Sequence, residues 1–241
     1  MPTWGRMKRI IKRNEYMAKK TKEEEVRQQN VAEAVSKTDQ FFKENANLIY
    51  GCVAAVLVIA LAALAYTRFY LQPKRAEAEK EMVRAEQWFA QGEYQLALEG
   101  DGNDLGFEDI IAQYGKKGGS SVYLYAGIAK LQTGAYEEAI SYLKKYNGKD
   151  NILLSRAQAC IGDAYVGLEK NEEALGWFVK AAKTADNAFA AAYLVKAGIT
   201  AEALGQNDKA LGYYKEVKDK YPQAPEAMDI DKYIAKLENA E

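Results

Sequence analysis

Two textures of apolar residues divide the chain. Between Asn45 and Thr67 there is no Asp, Glu, Lys or Arg, and Leu48 to Tyr66 reads LIYGCVAAVLVIALAALAY. About 20 apolar residues in helical form span the roughly 30 Å hydrocarbon core of a bilayer. Helices buried in a soluble core are rarely apolar on all faces over this length. The pattern predicts a transmembrane helix over 45–70, with Tyr50 near one end and Tyr66, Phe69 and Tyr70 near the other, at the depth of an aromatic belt. From Ala78 onward the texture changes to apolar residues interleaved with charge at helical spacing.

Other readings of the apolar run are weaker. Ala63-Leu64-Ala65 offers a small-x-small cleavage site, but the arm before the run is long for a signal peptide and the run exceeds the usual 7–15 residues. A lipoprotein signal would put its apolar run before Cys52, whereas here the run follows that cysteine. Gly51 and Ala55 form a small-xxx-small pair, a common accident in an Ala-rich span. Pro73 is expected to end or kink the span's helix, residues 71–77 to act as a linker, and the charged stretch 75–82 as a stiff connector.

Within 78–222 small residues recur in pairs twelve apart: Ala85 and Ala97, Gly127 and Ala139, Gly162 and Ala174, Gly198 and Ala210. The last three pairs begin 35 and 36 residues apart. A turn signal divides each pair: Gln91-Gly92-Glu93, Thr133-Gly134-Ala135, Glu169-Lys170-Asn171 and Gly205-Gln206-Asn207. Leu143, Phe178 and Tyr214 follow the second small residue by four, and Tyr94 and Tyr136 precede it by three. This is the pattern of a helical hairpin. Small residues let two backbones approach, bulky ones fill the space around them, and each hairpin stacks on the next. It resembles the tetratricopeptide repeat (TPR), specifically in the units starting near Ser120, Ser155 and Ala191 and partially in the first. The period departs slightly from the usual 34, which implies longer turns between repeats.

The first unit departs most. Residues 100–119, GDGNDLGFEDIIAQYGKKGG, form an insertion in which Leu105, Phe107, Ile110, Ile111 and Tyr114 predict a short helix docked on the first hairpin. Asp101-x-Asn103-x-Leu105-Gly106 resembles half an EF-hand loop, but Leu105 occupies a ligand position and Ala112 stands where the bidentate Glu is needed. After Pro225, residues Ala227, Ile230, Ile234 and Leu237 share one face, with Asp229, Lys232 and Lys236 elsewhere. This is the signature of a helix capping the array over 223–241. The expected fold class is all-α: one transmembrane helix, then about four hairpins and a capping helix.

Charge is unevenly spread. Residues 1–44 carry 11 basic against 7 acidic residues, and residues 68–241 carry 22 against 27. A basic arm before the span and an acidic domain after it predict an N-terminus inside and a C-terminus outside, although Arg68, Lys74 and Arg75 follow the span closely. The arm is expected to be disordered, then helical. Its first 16 residues are either an artefact of start choice before Met17 or a lipid-touching patch of Arg6, Lys8, Arg9, Lys12 and Arg13 with Trp4 and Ile10. Val31, Ala34, Val35, Thr38 and Phe42 make a stripe too short for a coiled coil. The acidic domain argues against nucleic acid, which needs clustered Lys and Arg. Cys52 and Cys160 cannot pair and read as packing residues. Histidine is absent, as are zinc-spaced cysteines and the GxxxxGK[ST], GxSxG and GxGxxG motifs. Neither catalysis nor a metal or cofactor is expected, and the carboxylates, interleaved with Lys, read as solvated helix faces.

The remaining function is binding. In TPR arrays the first helix of each hairpin lines a concave groove. By position, the resemblance puts Leu124, Ile128 and Leu131 there, then Ala159, Asp163 and Val166, then Val195, Ile199 and Glu202. The competing reading is that several of these are core between repeats. The Lys, Asn and Arg with which some arrays grip a carboxylate terminus are replaced here by Ala, Ile, Asp and Val. A mostly apolar groove suits an apolar segment or amphipathic helix. Span plus repeats resembles the inner-membrane TPR family that includes the ancillary subunit of the bacterial Sec translocon. That resemblance implies an adaptor with a periplasmic domain, holding chaperones near emerging envelope proteins. A scaffold in a cell-envelope machine and a cytosol-facing targeting receptor remain as alternatives.

Overall fold

The computed structural model describes residues 40–239, together with Arg27 and Ser36. The patch from Trp4 to Arg13 and the stripe residues Val31, Ala34, Val35 and Thr38 lie outside them. The chain forms two units, residues 1–66 and 67–241. In the first, residues 40–44 are helical and α1 (Ala46–Tyr66) follows. No residue of α1 is buried, and Leu48, Val56, Ile59 and Leu64 are all exposed. Among the described residues this is the one apolar stretch long enough to cross a bilayer, with a mean hydropathy of 2.7 over its most apolar window.

Pro73 neither ends the helix nor breaks it. Thr67–Leu71 form a π-helical turn, and Pro73 sits in the first turn of α2 (Gln72–Ala90). In a helix a proline ring meets the carbonyl four residues back, here that of Phe69 in the middle of the π turn. A locally wider helix relieves that conflict. Residues 71–77, expected as a linker, are therefore helical.

The second unit is a row of helical hairpins. α2 pairs with the short α3 (Tyr94–Glu99). The insertion supplies α4 (Phe107–Tyr114) and a 3-10 turn, Gly115–Gly118. Then come α5 (Ser121–Gln132) with α6 (Tyr136–Leu143), α7 (Asn151–Gly167) with α8 (Asn171–Ala185), and α9 (Phe189–Ala203) with α10 (Asn207–Lys220). A 3-10 turn at Pro225–Met228 leads into α11 (Ile230–Glu238), whose Ile230, Ile234 and Leu237 close the core of the last hairpin. Among the described residues the only β feature is one bridge between Gly100 and Leu105.

The paired small residues are all buried: Ala85, Ala97, Gly127, Ala139, Gly162, Ala174, Gly198 and Ala210. Their partners explain the spacing. A Cβ on Gly127 would lie 2.5 Å from Leu143 Cγ, one on Gly162 would lie 2.6 Å from Phe178 Cε1, and one on Gly198 would lie 2.2 Å from Tyr214 Cε1. Each bulky residue of a second helix thus rests on the glycine of its first helix. Tyr136 reaches into the next repeat, where a Cβ on Gly167 would sit 2.4 Å from its ring. In the insertion, Asp101 Oδ1 accepts from the amides of Asn103 (2.9 Å) and Asp104 (2.8 Å). Those bonds hold its carboxyl below the usual range. The half EF-hand is an Asx turn, which explains why Asp and Asn occur there.

Candidate protein-binding face

Seven large apolar side chains stand exposed in residues 72–239: Val83, Ile152, Leu153, Val166, Phe189, Ile199 and Met228. Five of them lie on α7 or α9, the first helices of the third and fourth hairpins. Exposed apolar surface scattered singly is ordinary, so its concentration on two neighbouring helices makes them the candidate docking surface.

Local chemistry sets the N-terminal end of this face. Asp150 caps α7 by accepting from the amides of Ile152 (2.7 Å) and Leu153 (3.1 Å). Asn187 Oδ1 accepts from the Phe189 amide (2.9 Å) at the start of α9. The Asp150 cap and the Asx turn at Asn187 fix the chain where it enters α7 and α9, and so fix the exposed apolar residues carried there. Between the two helices lies an open cleft of ≈ 360 Å³, lined by Ile152, Leu153, Arg156, Ala159, Cys160, Asp163, Phe189, Tyr193 and Lys196. Lys196 Nζ donates to both carboxylate oxygens of Asp163, at 2.6 and 2.7 Å, bridging α7 and α9 across the cleft floor. Lys196 also lies 5.6 Å from the Phe178 ring centre. Burial, with the Asp163 carboxylate beside it, pushes the Cys160 thiol up to about 11. A thiol so protonated is a poor nucleophile.

The groove residues inferred from repeat position divide. Ala159 and Asp163 line the cleft. Val166 and Ile199 are exposed further along α7 and α9. Val195 and Leu131 are partly buried against the core. Leu124 and Ile128 do not form an open groove. Both are buried, Ile128 to 7% exposure, in one cluster with Ala157, Ile161 and Ala164 of α7. The next repeat's first helix covers that face of α5, so these two residues are core between repeats. Ala159, though on the cleft floor, is 3% exposed. Glu202 is not offered to a partner either. It accepts from Tyr214 Oη (2.7 Å) and is paired with Lys236 of α11. Burial pushes its carboxyl up, but the bonds from Lys236 and Tyr214 outweigh this and hold it below the usual range.

Positional inheritance missed Ile152, Leu153, Arg156, Phe189, Tyr193 and Lys196. The sequence carried a usable signal for the first turn of each helix: Asp150-Asn151-Ile152 and Asn187-Ala188-Phe189 both place an Asx residue two before an apolar one at a helix start. Among the described residues no group of three or more His, Cys, Asp or Glu is gathered to hold a metal ion.

No protein-family model matches the chain, and no curated protein sequence matches it. Among solved structures it is similar to MamA, at 17% identity and a TM-score of 0.52 over 67% of this chain and 81% of that one. It is also similar to nearly identical TPR-like repeats from a Podosopora anserina kinesin light chain, at 14% identity and a TM-score of 0.53 over 69% and 87% of the two chains. At these identities the likeness establishes the fold: a TPR-like solenoid of helical hairpins.

Proposed function

We propose that this chain is a non-catalytic, single-pass membrane adaptor that binds a protein or peptide through the exposed face of α7 and α9. One observation carries the reading: five of the seven exposed large apolar side chains of the solenoid lie on these two helices, three of them rimming a cleft. An apolar rim around a charged floor suits an amphipathic helix or extended segment. Its apolar anchors would bury Ile152, Leu153 and Phe189, and a polar group would meet Arg156 or the Asp163–Lys196 pair. The TPR-like fold supports a protein partner, and the length and composition of α1 support the anchor.

The finer reading places the solenoid on the outer face of a bacterial inner membrane with the basic arm in the cytoplasm. There it would assist protein translocation beside the Sec translocon and periplasmic chaperones. Its support is the order of basic arm, apolar helix and acidic repeat domain. A photo-cross-linking amino acid placed at Phe189 in the full chain in cells tests it. Discrete adducts containing translocon or chaperone components are expected. Adducts with wall-synthesis or outer-membrane assembly components would redirect the reading to a different envelope machine, and no adduct at all would contradict the face.

A further inference from the structure

Between them α7 and α9 carry four charged side chains: Arg156, Asp163, Lys196 and Glu202. Three are occupied within the protein. Asp163 accepts from Lys196 with both oxygens, and Glu202 accepts from Tyr214 and pairs with Lys236. Arg156 is exposed at the cleft, and among the described residues its side chain forms no ion pair or hydrogen bond. Asp150, the N-cap of α7, is engaged by the amides of Ile152 and Leu153. On the α5 side, Arg156 and Glu86 of α2 both act on the Tyr125 hydroxyl. The Glu86 carboxyl, pushed up by burial and by Glu79, does not feel Arg156. The charges acting on the Cys160 thiol in the cleft are Asp163, Arg156 and Lys196, two cations to one carboxylate. The cleft is thus locally positive, although residues 68–241 carry 22 basic against 27 acidic side chains.

We infer that this cleft takes a partner segment in which an acidic side chain stands among apolar anchors, its carboxylate meeting the Arg156 guanidinium. The inference rests on the α7–α9 docking face proposed above and narrows its partner. A planar guanidinium presents paired N–H donors that match a carboxylate bidentately. Ile152, Leu153 and Phe189 line the same cleft. With apolar anchors seated on them, water is excluded around the pair, which strengthens such a bond. A basic side chain in that place would face a like charge, and the Asp163 oxygens that could receive it are already taken by Lys196. Tyr193 lines the cleft as well, and its hydroxyl has no partner among the described residues, which leaves it as a second donor to the same carboxylate.

The test selects short random peptides on the full chain in phosphatidylcholine nanodiscs, after depletion on empty discs. The peptides are displayed as internal segments, so that none has a free C-terminal carboxylate. Binders enriched in Asp or Glu beside Leu, Ile or Phe are expected. Replacing that acid by Asn or Gln in a selected peptide should weaken binding about tenfold. Arg156→Gln should remove the acidic preference while keeping the apolar one, and Arg156→Glu should shift it to Lys or Arg. Both variants should keep their thermal melts, since the side chain is exposed. Binders without an acidic preference, or with one that survives Arg156→Gln, overturn the inference. If those binders are still lost when Ile152→Glu and Phe189→Glu are made together, the docking face itself stands. Binders indifferent to that double change, or no binders at all, overturn the face and the inference together.

Discussion

The first and last hairpins close the same gap between two helices by different means. In the last, Tyr214 of α10 lies on Gly198 of α9, and its hydroxyl is tied to Glu202. In the first, α3 stops at Glu99, because Gly100 turns away with φ 75° and a Cβ there would fall 2.3 Å from the Asp104 carbonyl. No residue of α3 reaches the place that Leu143, Phe178 and Tyr214 fill in the other units. The insertion fills it from outside. Phe107 is fully buried, stacked on Tyr125 (ring centres 5.5 Å apart) and edge-on to Phe89 (6.2 Å), with Ile110 and Tyr114 behind it. One end of the array is thus built by a spacing rule repeated along the chain, the other by a single segment folding back. The third and fourth hairpins leave large apolar side chains exposed on their first helices, whereas Leu124 and Ile128 of α5 are buried against α6 and α7.

Removing the borrowed core should have the largest effect. Phe107→Ala is expected to cost about 3–5 kcal/mol, as for other fully buried aromatics. In a solenoid each unit touches only its neighbours, so the loss should concentrate in the first hairpin. A denaturant melt followed by hydrogen exchange should show residues 72–114 opening first while α7–α10 stay protected. Uniform loss across the array would mean that the two ends are not built independently.

Gly198→Ala tests the other end. The new methyl would meet a ring that cannot swing aside without giving up its bond to Glu202, so a cost of about 1–3 kcal/mol is expected. A melting temperature equal to that of the unaltered chain would show that the glycine's close approach is not what sets the spacing. The complementary change is smaller and of opposite sign. Gly176 is helical and exposed, with open space where its Cβ would be. Gly176→Ala should stabilise α8 by about 0.5–1 kcal/mol through helix propensity alone. Destabilisation there would show that not only the paired glycines are needed.

The same contrast explains what could be read from the residues alone. The hairpins, the turns at Gly92, Gly134 and Gly205, and the capping face of Ile230, Ile234 and Leu237 follow from local spacing and are visible in one sequence. So is the aromatic character of the insertion. The candidate face was only partly legible. Of the residues placed by repeat position, Asp163 lines the cleft and Val166 and Ile199 are exposed, whereas Leu124 and Ile128 are buried. Their burial depends on how closely α7 packs over α5, which no periodicity within α5 encodes. The cleft rim escaped because Ile152, Leu153 and Phe189 belong to first turns, where caps rather than the repeat register decide which way a side chain points. The passage of the helix through Pro73 was hidden for a related reason: a π turn is a local adjustment without a distinct residue signature.

The central claim is that the exposed face of α7 and α9 is the binding surface and the buried face of α5 is not. The most direct measurement compares Ile152→Glu with Phe189→Glu, made together in the full chain, against Ile128→Glu alone. Each is scored for thermal melting and for capture of the partner recovered by cross-linking at Phe189. The double variant should keep its melting temperature, since exposed substitutions usually change stability by less than about 0.5 kcal/mol each, and should lose capture. Ile128→Glu should lower the melt sharply, because it buries an unpaired charge. Capture retained by the double variant with an intact melt would contradict the account.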